Sequence, residues 1–387
     1  DPHPRVVFVA LQSIAFVSVA LSGLFQKKVG TQIIQGILGL IQRQPGLRVQ
    51  AIAASALGQF CNCEMISKKI FKSTLPSLVE WLSSLCGARY RCAEHIISRI
   101  PSVQSEAITA IGNIFLATKY DFTPFYHSIV QGLIGILSGE VTPESISVHV
   151  SACGCLCIDS LLSLFTASLV SSMGKATSQK EAWEIMQFLL GLIEKTPLGD
   201  ERLNCLLDCA AEIFQYCEKP QQEHFLQIMI PYLLKMAQTD VGFSVKQVVS
   251  GPDHQIDNGV ERTTVETQGM GKVQLSINTT AIETISNAVR LIHNLIIDAK
   301  DMMLPYVNSI HDIVFPLVDF SFHEDVRSLC AKILPQMLEL LINSLKAGQT
   351  PVDVCVAYFN EMMPTLFEQY DAEDNATERS VLADCIR

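Results

Sequence analysis

The chain has 387 residues, 49% of them hydrophobic and only 17% charged, and its formal net charge is −11. That apolar content excludes a disordered chain, and the charge lies below the ~25% usual for soluble domains, so the chain is buried on several sides or sits in a membrane. The excess of acidic residues (39) over basic ones (28) argues against nucleic acid as the main ligand, because phosphate neutralisation needs a basic surface; it points toward basic partners.

Apolar residues recur at i, i+3, i+4 and i+7 through nearly every window. In chain order the pattern predicts helices over 4–21, 26–42, 47–60, 67–85, 103–118, 123–137, 145–165, 179–195, 201–217 and 221–237. After a gap it predicts further helices over 279–297, 303–320, 324–345, 352–370 and 376–387. The stretch from Val6 to Leu24 carries no charge between Arg5 and Lys27 and is long enough to span a bilayer. Gln12, Ser13, Ser18 and Ser22 interrupt it, and the next apolar run contains Asp159. No basic leader or small-residue cleavage site marks it as a secretory signal. It reads as a helix buried on both sides within a stack of helices, without membrane insertion.

The helices fall into pairs, a first helix ending in a short turn and a second beginning near a Val. Val6 and Val49, and again Val103 and Val148, stand at the ~40–47-residue interval of HEAT and armadillo repeats. The expected fold is therefore all-α: a right-handed superhelical HEAT-repeat solenoid of antiparallel helix pairs. Each pair buries its apolar face against its neighbours only. Residues 1–387 read as one such solenoid of about seven repeats, with both terminal repeats truncated. Residues 240–277 break the helical period. Val273, Leu275 and Ile277 alternate with polar residues, and Gln268-Gly269-Met270-Gly271 precedes them. This segment is expected to be a loop or β-hairpin inserted within one helical pair, and long loops in compact repeats are often functional.

Several second helices carry polar stripes opposite their apolar faces. Glu106, Thr109 and Asn113 lie at i, i+3 and i+7; Asp208, Glu212 and Gln215 at i, i+4 and i+7; Glu283, Asn287 and Asn294 share a third stripe; Asp159 stands alone in an apolar helix. Successive second helices line one concave wall of a solenoid. Glu106, Asn113, Asp159, Asp208, Glu212, Glu283 and Asn287 are therefore the candidate binding residues. The carboxylates would form an acidic track, with amides to hold the backbone of an extended basic peptide. The competing reading is a set of merely solvated faces.

The thirteen cysteines form no metal set. Cys153, Cys155 and Cys157 point about 200° apart from one to the next on a helix. Cys205 and Cys209 share a face but have no second ligand pair nearby, and Cys61-x-Cys63 is tighter than zinc spacing. Reduced core thiols are the expectation. Isolated helical histidines, and the lack of G-x-S-x-G, H-E-x-x-H or a P-loop, leave no catalytic motif. No enzyme activity, cofactor or metal is expected. Asn278-Thr279-Thr280 and Asn375-Ala376-Thr377 fit glycosylation sequons and are read as incidental.

Asp1-Pro2-His3-Pro4-Arg5-Val6, Phe25-Gln26-Lys27-Lys28 and Arg48-Val49-Gln50-Ala51, in that spacing, resemble the middle HEAT repeats of the importin-beta superfamily, in particular its importin five class (karyopherin beta-three, Kap121-like in fungi). Phe322-His323-Glu324-Asp325-Val326-Arg327 resembles the start of a second helix of that class, and the inserted segment sits where the family has a long intra-repeat loop. The loop is less acidic than the family's. Arg327 occupies the place of an Arg that often follows the turn Val in HEAT repeats, whereas Val7 and Gln50 stand at the matching earlier places. The resemblance implies a nuclear import receptor that binds basic nuclear localisation signals on its concave face and FG-repeat nucleoporins on its outer face. It also implies release of cargo to Ran-GTP bound mainly through repeats outside this chain, and shuttling between cytoplasm and nucleus through the pore. The alternative is a HEAT-repeat scaffold for other protein assemblies.

Overall fold

The computed structural model of the chain describes residues 3–43, 46–61, 74–86, 90–92, 95–97, 101–118, 124–137, 175–198, 200–247, 254–257, 260–267 and 271–387. They form two compact units, Asp1–Thr196 with Asp200–Ile213, and Pro197–Gly199 with Phe214–Arg387.

The first unit contains α1 (Pro4–Gln42), α2 (Leu47–Cys61), α3 (Leu75–Cys86), α4 (Pro101–Thr118), α5 (Tyr126–Leu137), α6 (Lys175–Ile193) and α7 (Glu201–Phe214, whose last residue groups with the second unit). α1 packs on α2, α3 on α4, and the second helices α2 and α4 pack on each other. Their closest approach is at Gly58, where an added Cβ would lie 3.3 Å from the Ala110 Cα. Asn113 Nδ2 donates to the Gly58 carbonyl there at 3.1 Å. The buried faces are those the 3.6-residue period marks: Ala53, Leu57 and Phe60 on α2, and Ala107, Ile108, Ile111 and Ile114 on α4.

Two sequence expectations fail in α1. The helices expected over 4–21 and 26–42 are one continuous helix of 39 residues. No proline separates them, and a single Gly such as Gly23 costs a helix only about 1 kcal/mol relative to Ala. Burial on both sides is also not found. Leu11 and Ser18 are buried, but Val6, Val9, Phe16, Val19 and Leu21 are 58–76% exposed. Among the described residues, only α2 packs extensively on this helix, and α3 touches it. Pro4–Leu21 remains the one described segment long and apolar enough to cross a membrane. A two-stranded antiparallel hairpin, β1 (Tyr90–Cys92) with β2 (His95–Ile97), lies in a segment for which no helix was expected. The expected helix 145–165, with Asp159 and the Cys153, Cys155 and Cys157 set, lies outside the described residues.

The second unit contains α8 (Lys219–Ala237), α9 (Thr279–Ala299), α10 (Val307–Leu317), α11 (Glu324–Lys346), α12 (Val352–Ala372) and α13 (Ala376–Ile386). The expected helix 303–320 is split by the 3₁₀ turn Lys300–Tyr306. Pro305 lies inside that turn and donates no backbone bond. α8 packs on α9 across the inserted segment, and α10 packs on α11 and α12 on α13 across short connections. The second helices α9, α11 and α13 stack in that order. Val326, Cys330, Ile333, Leu334 and Met337 of α11 are fully buried between their neighbours, each worth about 1.5–3 kcal/mol on transfer from water. Tyr358 of α12 donates its hydroxyl to the Leu334 carbonyl at 3.1 Å. The sequon asparagines serve as N-caps: Asn278 accepts from the Ala281 N–H and Asn375 from the Thr377 N–H.

The insertion is larger than a loop or a hairpin. Between α8 and α9 stand β3 (Ser244–Gln247), β4 (His254–Asp257), β5 (Val260–Thr267) and β6 (Gly271–Asn278), an antiparallel sheet in the order β3-β6-β5-β4. Val265 pairs with Val273 and Thr263 with Leu275. The overlooked signal was Asn258-Gly259, the residue pair favoured in two-residue hairpin turns, here between the partners Asp257 and Val260. The root of the sheet is pinned. Asn278 N–H donates to the Val241 carbonyl at 2.9 Å, and Asp240 Oδ1 accepts from the Gly242 N–H at 2.9 Å. Gly242 itself has φ +58°, a conformation glycine takes without steric cost.

Candidate functional site

The polar stripes form on the second helices because the opposite faces are committed to packing. On α9, Ile282, Ile285, Val289 and Ile292 are buried, while Glu283 and Asn294 are exposed and Asn287 is half-buried. Asn287 Oδ1 accepts from Arg290 Nη2 at 3.4 Å, which puts a guanidinium into the same stripe. On the neighbouring α11 the stripe continues through Lys332, Gln336, Glu339 and Asn343, at the i, i+4, i+7 and i+11 spacing of one helix face. His293 of α9 and Gln336 of α11 meet at 3.2 Å between Nε2 atoms, a direct polar contact between successive second helices. Burial holds the His293 ring below its ordinary pKa. A bond with Asn294 opposes this, and the Lys332 ammonium adds to it. The sequence reading missed these α11 residues, although the period that marked Glu283 and Asn287 reaches them. Glu283 and Asn287 thus share one helix face, and that face carries cations as well as acids.

In the first unit, Glu106 and Asn113 of α4 are half-buried opposite Ile108 and Ile111. Part of the Asn113 amide is committed to Gly58, so this residue also holds two second helices together. Asp208 is half-buried and Glu212 exposed on α7, opposite Leu203, Leu207, Ala210 and Ile213. Asp159 lies outside the described residues.

A second polar group lies where α11 begins. Arg327 donates to Glu373 Oε2 at 3.0 Å and to the Phe320 carbonyl at 3.2 Å. Glu373 Oε1 accepts from the Asn375 N–H, Asn375 Nδ2 donates to Glu324, and Ser328 Oγ donates to Glu378. The Arg327 and Glu373 side chains are only 22% and 10% exposed. This network ties the start of α11 to the α12–α13 turn and to the first turn of α13. It gives Arg327 a repeat-to-repeat role.

Cys61, Cys205, Cys209, Cys217, Cys330, Cys355 and Cys385 are free thiols. Burial pushes the Cys61 and Cys330 thiols far up, and that of Cys217 to about 11. Among the described residues no three His, Cys, Asp or Glu side chains lie close enough to hold a metal ion.

No family model matches the chain. Among curated proteins it is similar to importin subunit beta-3 of Saccharomyces cerevisiae, 25% identical over 346 residues, 88% of this chain and 29% of that protein. Among solved structures the whole chain superposes on Kap121p with a TM-score of 0.72 at 22% identity, covering 34% of that chain. The same protein bound to Pho4p and bound to RanGTP gives TM-scores of 0.71, at 22% identity and over 33% and 34% of those chains. The likeness to the solved structures shows the fold, that of a karyopherin HEAT-repeat solenoid. The chain spans about a third of the length of the relatives it matches.

Proposed function

Since the chain is of the importin-beta superfamily, in its Kap121-like class, we propose that it is a cargo-binding stretch of a nuclear import receptor, working by binding without covalent chemistry. The polar faces of its second helices would bind basic nuclear localisation signals. Glu106, Asp208, Glu212 and Glu283 would supply charge, Asn113 and Asn287 amides, and Asp159 a further carboxylate. The supporting observation is the pairing of Glu283 and Asn287 on one face of α9, opposite the buried Ile285, Val289 and Ile292. Arg290 and Lys332 narrow the reading. Their cations break the track on α9 and α11, so a bound signal would need an acidic or neutral residue opposite them.

The whole receptor would shuttle between cytoplasm and nucleus. It would meet FG-repeat nucleoporins at the pore and release cargo to Ran-GTP bound mainly through repeats outside this chain. The bound forms of Kap121p, with Pho4p and with RanGTP, support a cargo- and Ran-linked cycle for this class. We read residues 1–387 as one run of HEAT repeats with the 240–277 sheet inserted within one repeat. A pull-down tests the function. Immobilised chain should retain a lysine-rich signal peptide at low salt, and retention should fall as salt screens the carboxylates. Retention of FG repeats alone, or of neither ligand, would favour a scaffold with other partners.

A further inference from the structure

A cluster of three phenylalanines joins the root of the inserted sheet to the turn between α10 and α11. Phe243, just before β3, is 51% exposed, and Phe322 is 36% exposed. Their ring centroids lie 5.4 Å apart, and Phe320 stands edge-on to Phe322 at 5.5 Å. Exposed rings this large need an explanation in a segment held so firmly. The Val241–Asn278 and Asp240–Gly242 bonds fix one side of the cluster, and the bond from Arg327 to the Phe320 carbonyl fixes the other. Beside the rings opens a cleft of about 420 Å³ lined by Ser321, Phe322, His323, Glu324, Asp325 and Arg327.

Among the described residues, the charge on the two segments that carry the rings is acidic. Asp240, Asp319, Glu324 and Asp325 are exposed on the two segments that carry the rings. The one guanidinium lining the cleft is neutralised by Glu373. Asp325 is 71% exposed, and the His323 ring lies 3.9 Å from its carboxylate. Aromatic faces attract cations within about 6 Å of the ring centroid, and carboxylates beside them add charge pairing and steer encounter. We propose that this corner is a docking surface for a segment of a partner protein in which Arg or Lys alternates with aliphatic residues. The cation would stack on Phe322 or Phe243 and pair with Asp325 or Asp319, and the aliphatic side chains would cover the ring edges. The surface adjoins the α11 stripe, because Asp325 stands seven residues before Lys332 on that helix, and its phenylalanines set it apart from the signal-binding reading.

Fluorescence anisotropy with a labelled peptide of alternating Arg and Leu tests it on the full chain. Peptides of alternating Glu and Leu, and of alternating Arg and Gly, serve as controls. The Arg-Leu peptide should bind, the Arg-Gly peptide more weakly and the Glu-Leu peptide not at all. Combining Phe243→Ala with Phe322→Ala should weaken the Arg-Leu peptide by roughly ten-fold or more, the loss expected on removing a central aromatic anchor. Asp319→Asn with Asp325→Asn changes only exposed carboxylates and so spares the fold; it should weaken binding and flatten its salt dependence. Glu368→Gln, an exposed carboxylate of α12 outside both proposed surfaces, should leave affinity unchanged. Affinity insensitive to both the phenylalanine and the aspartate pairs would overturn the proposal. So would equal binding of the Glu-Leu peptide, or an equal loss produced by Glu368→Gln.

Discussion

Replacing Arg327 with Met should loosen one repeat contact and leave its neighbours intact. The substitution removes the 3.0 Å bond to Glu373 and the 3.2 Å bond to the Phe320 carbonyl. With the two side chains 22% and 10% exposed, solvent screens little of the pair. A hydrogen bond to a charged group contributes about 1.5–3 kcal/mol net, and stranding a buried charge outright costs about 3–5 kcal/mol. Glu373 is not stranded, because it keeps the Asn375 N–H at 3.0 Å. The expected loss is therefore near the middle of the lower range, about 2 kcal/mol, or roughly thirty-fold in an opening equilibrium. Native-state hydrogen exchange reads it directly: α13 and the end of α12 should lose about that much protection, while α8 and α9 keep theirs, since repeats contact only their neighbours. The pH dependence has a fixed sign. The Asn375 N–H, with Arg327 adding to it against burial, holds the Glu373 carboxyl below its ordinary pKa. Its stabilisation is then present above the unfolded carboxylate range and lost as pH falls through the folded value. Both Arg327→Met and Glu373→Gln should flatten that acid loss. Unchanged protection in α13, or an equal loss in α8, would refute the reasoning.

The remaining predictions concern other contacts. Gly58→Val should cost about 1–3 kcal/mol in urea denaturation, because its Cβ would press within 3.3 Å of the Ala110 backbone. Asn113→Ala should cost about 1 kcal/mol by losing the bond to the Gly58 carbonyl. In an NMR titration His293 should protonate below pH 6.5, and Lys332→Met should raise its midpoint by removing a neighbouring cation. A folded pKa below the unfolded one means that the neutral ring's contribution to stability is full above the unfolded pKa and declines as pH falls. Near neutral pH, native Cys61, Cys330 and Cys217 should resist alkylation until the chain is denatured, because burial keeps each as a thiol.

The period of apolar residues was enough to place most helices and their buried faces, since Ile282, Ile285, Val289 and Ile292 can satisfy a stack of helices only from one side. It failed where local cost decides. No proline or turn cluster stops α1 between Leu21 and Gln26, whereas Pro305 and the turn around it break up the helix expected from Met303. The inserted sheet was half legible: the alternation of Val273, Leu275 and Ile277 pointed to β6 and a hairpin. The outer strands β3 and β4 are too short for periodicity to reveal, and the residue pair Asn258-Gly259 was the usable signal. The candidate stripe was legible on α9 and missed on α11. Its cations were legible by the same period, since Arg290 stands seven residues after Glu283 and Lys332 begins the α11 stripe; what one helix cannot show is that α9 and α11 lie side by side. The Arg327–Glu373 bond joins residues on different helix pairs, and one helix's sequence cannot show such a contact.

The central claim is that the polar faces of the second helices hold a basic peptide. Isothermal calorimetry with a lysine-rich signal peptide, at low and at physiological salt, tests it most directly on the chain carrying Glu106→Gln, Asp208→Asn, Glu212→Gln and Glu283→Gln together. The account predicts that affinity falls by roughly ten-fold or more at low salt and that the salt dependence shrinks, because the removed charges are the ones that salt screens. Affinity and salt dependence equal to those of the unaltered chain would contradict it.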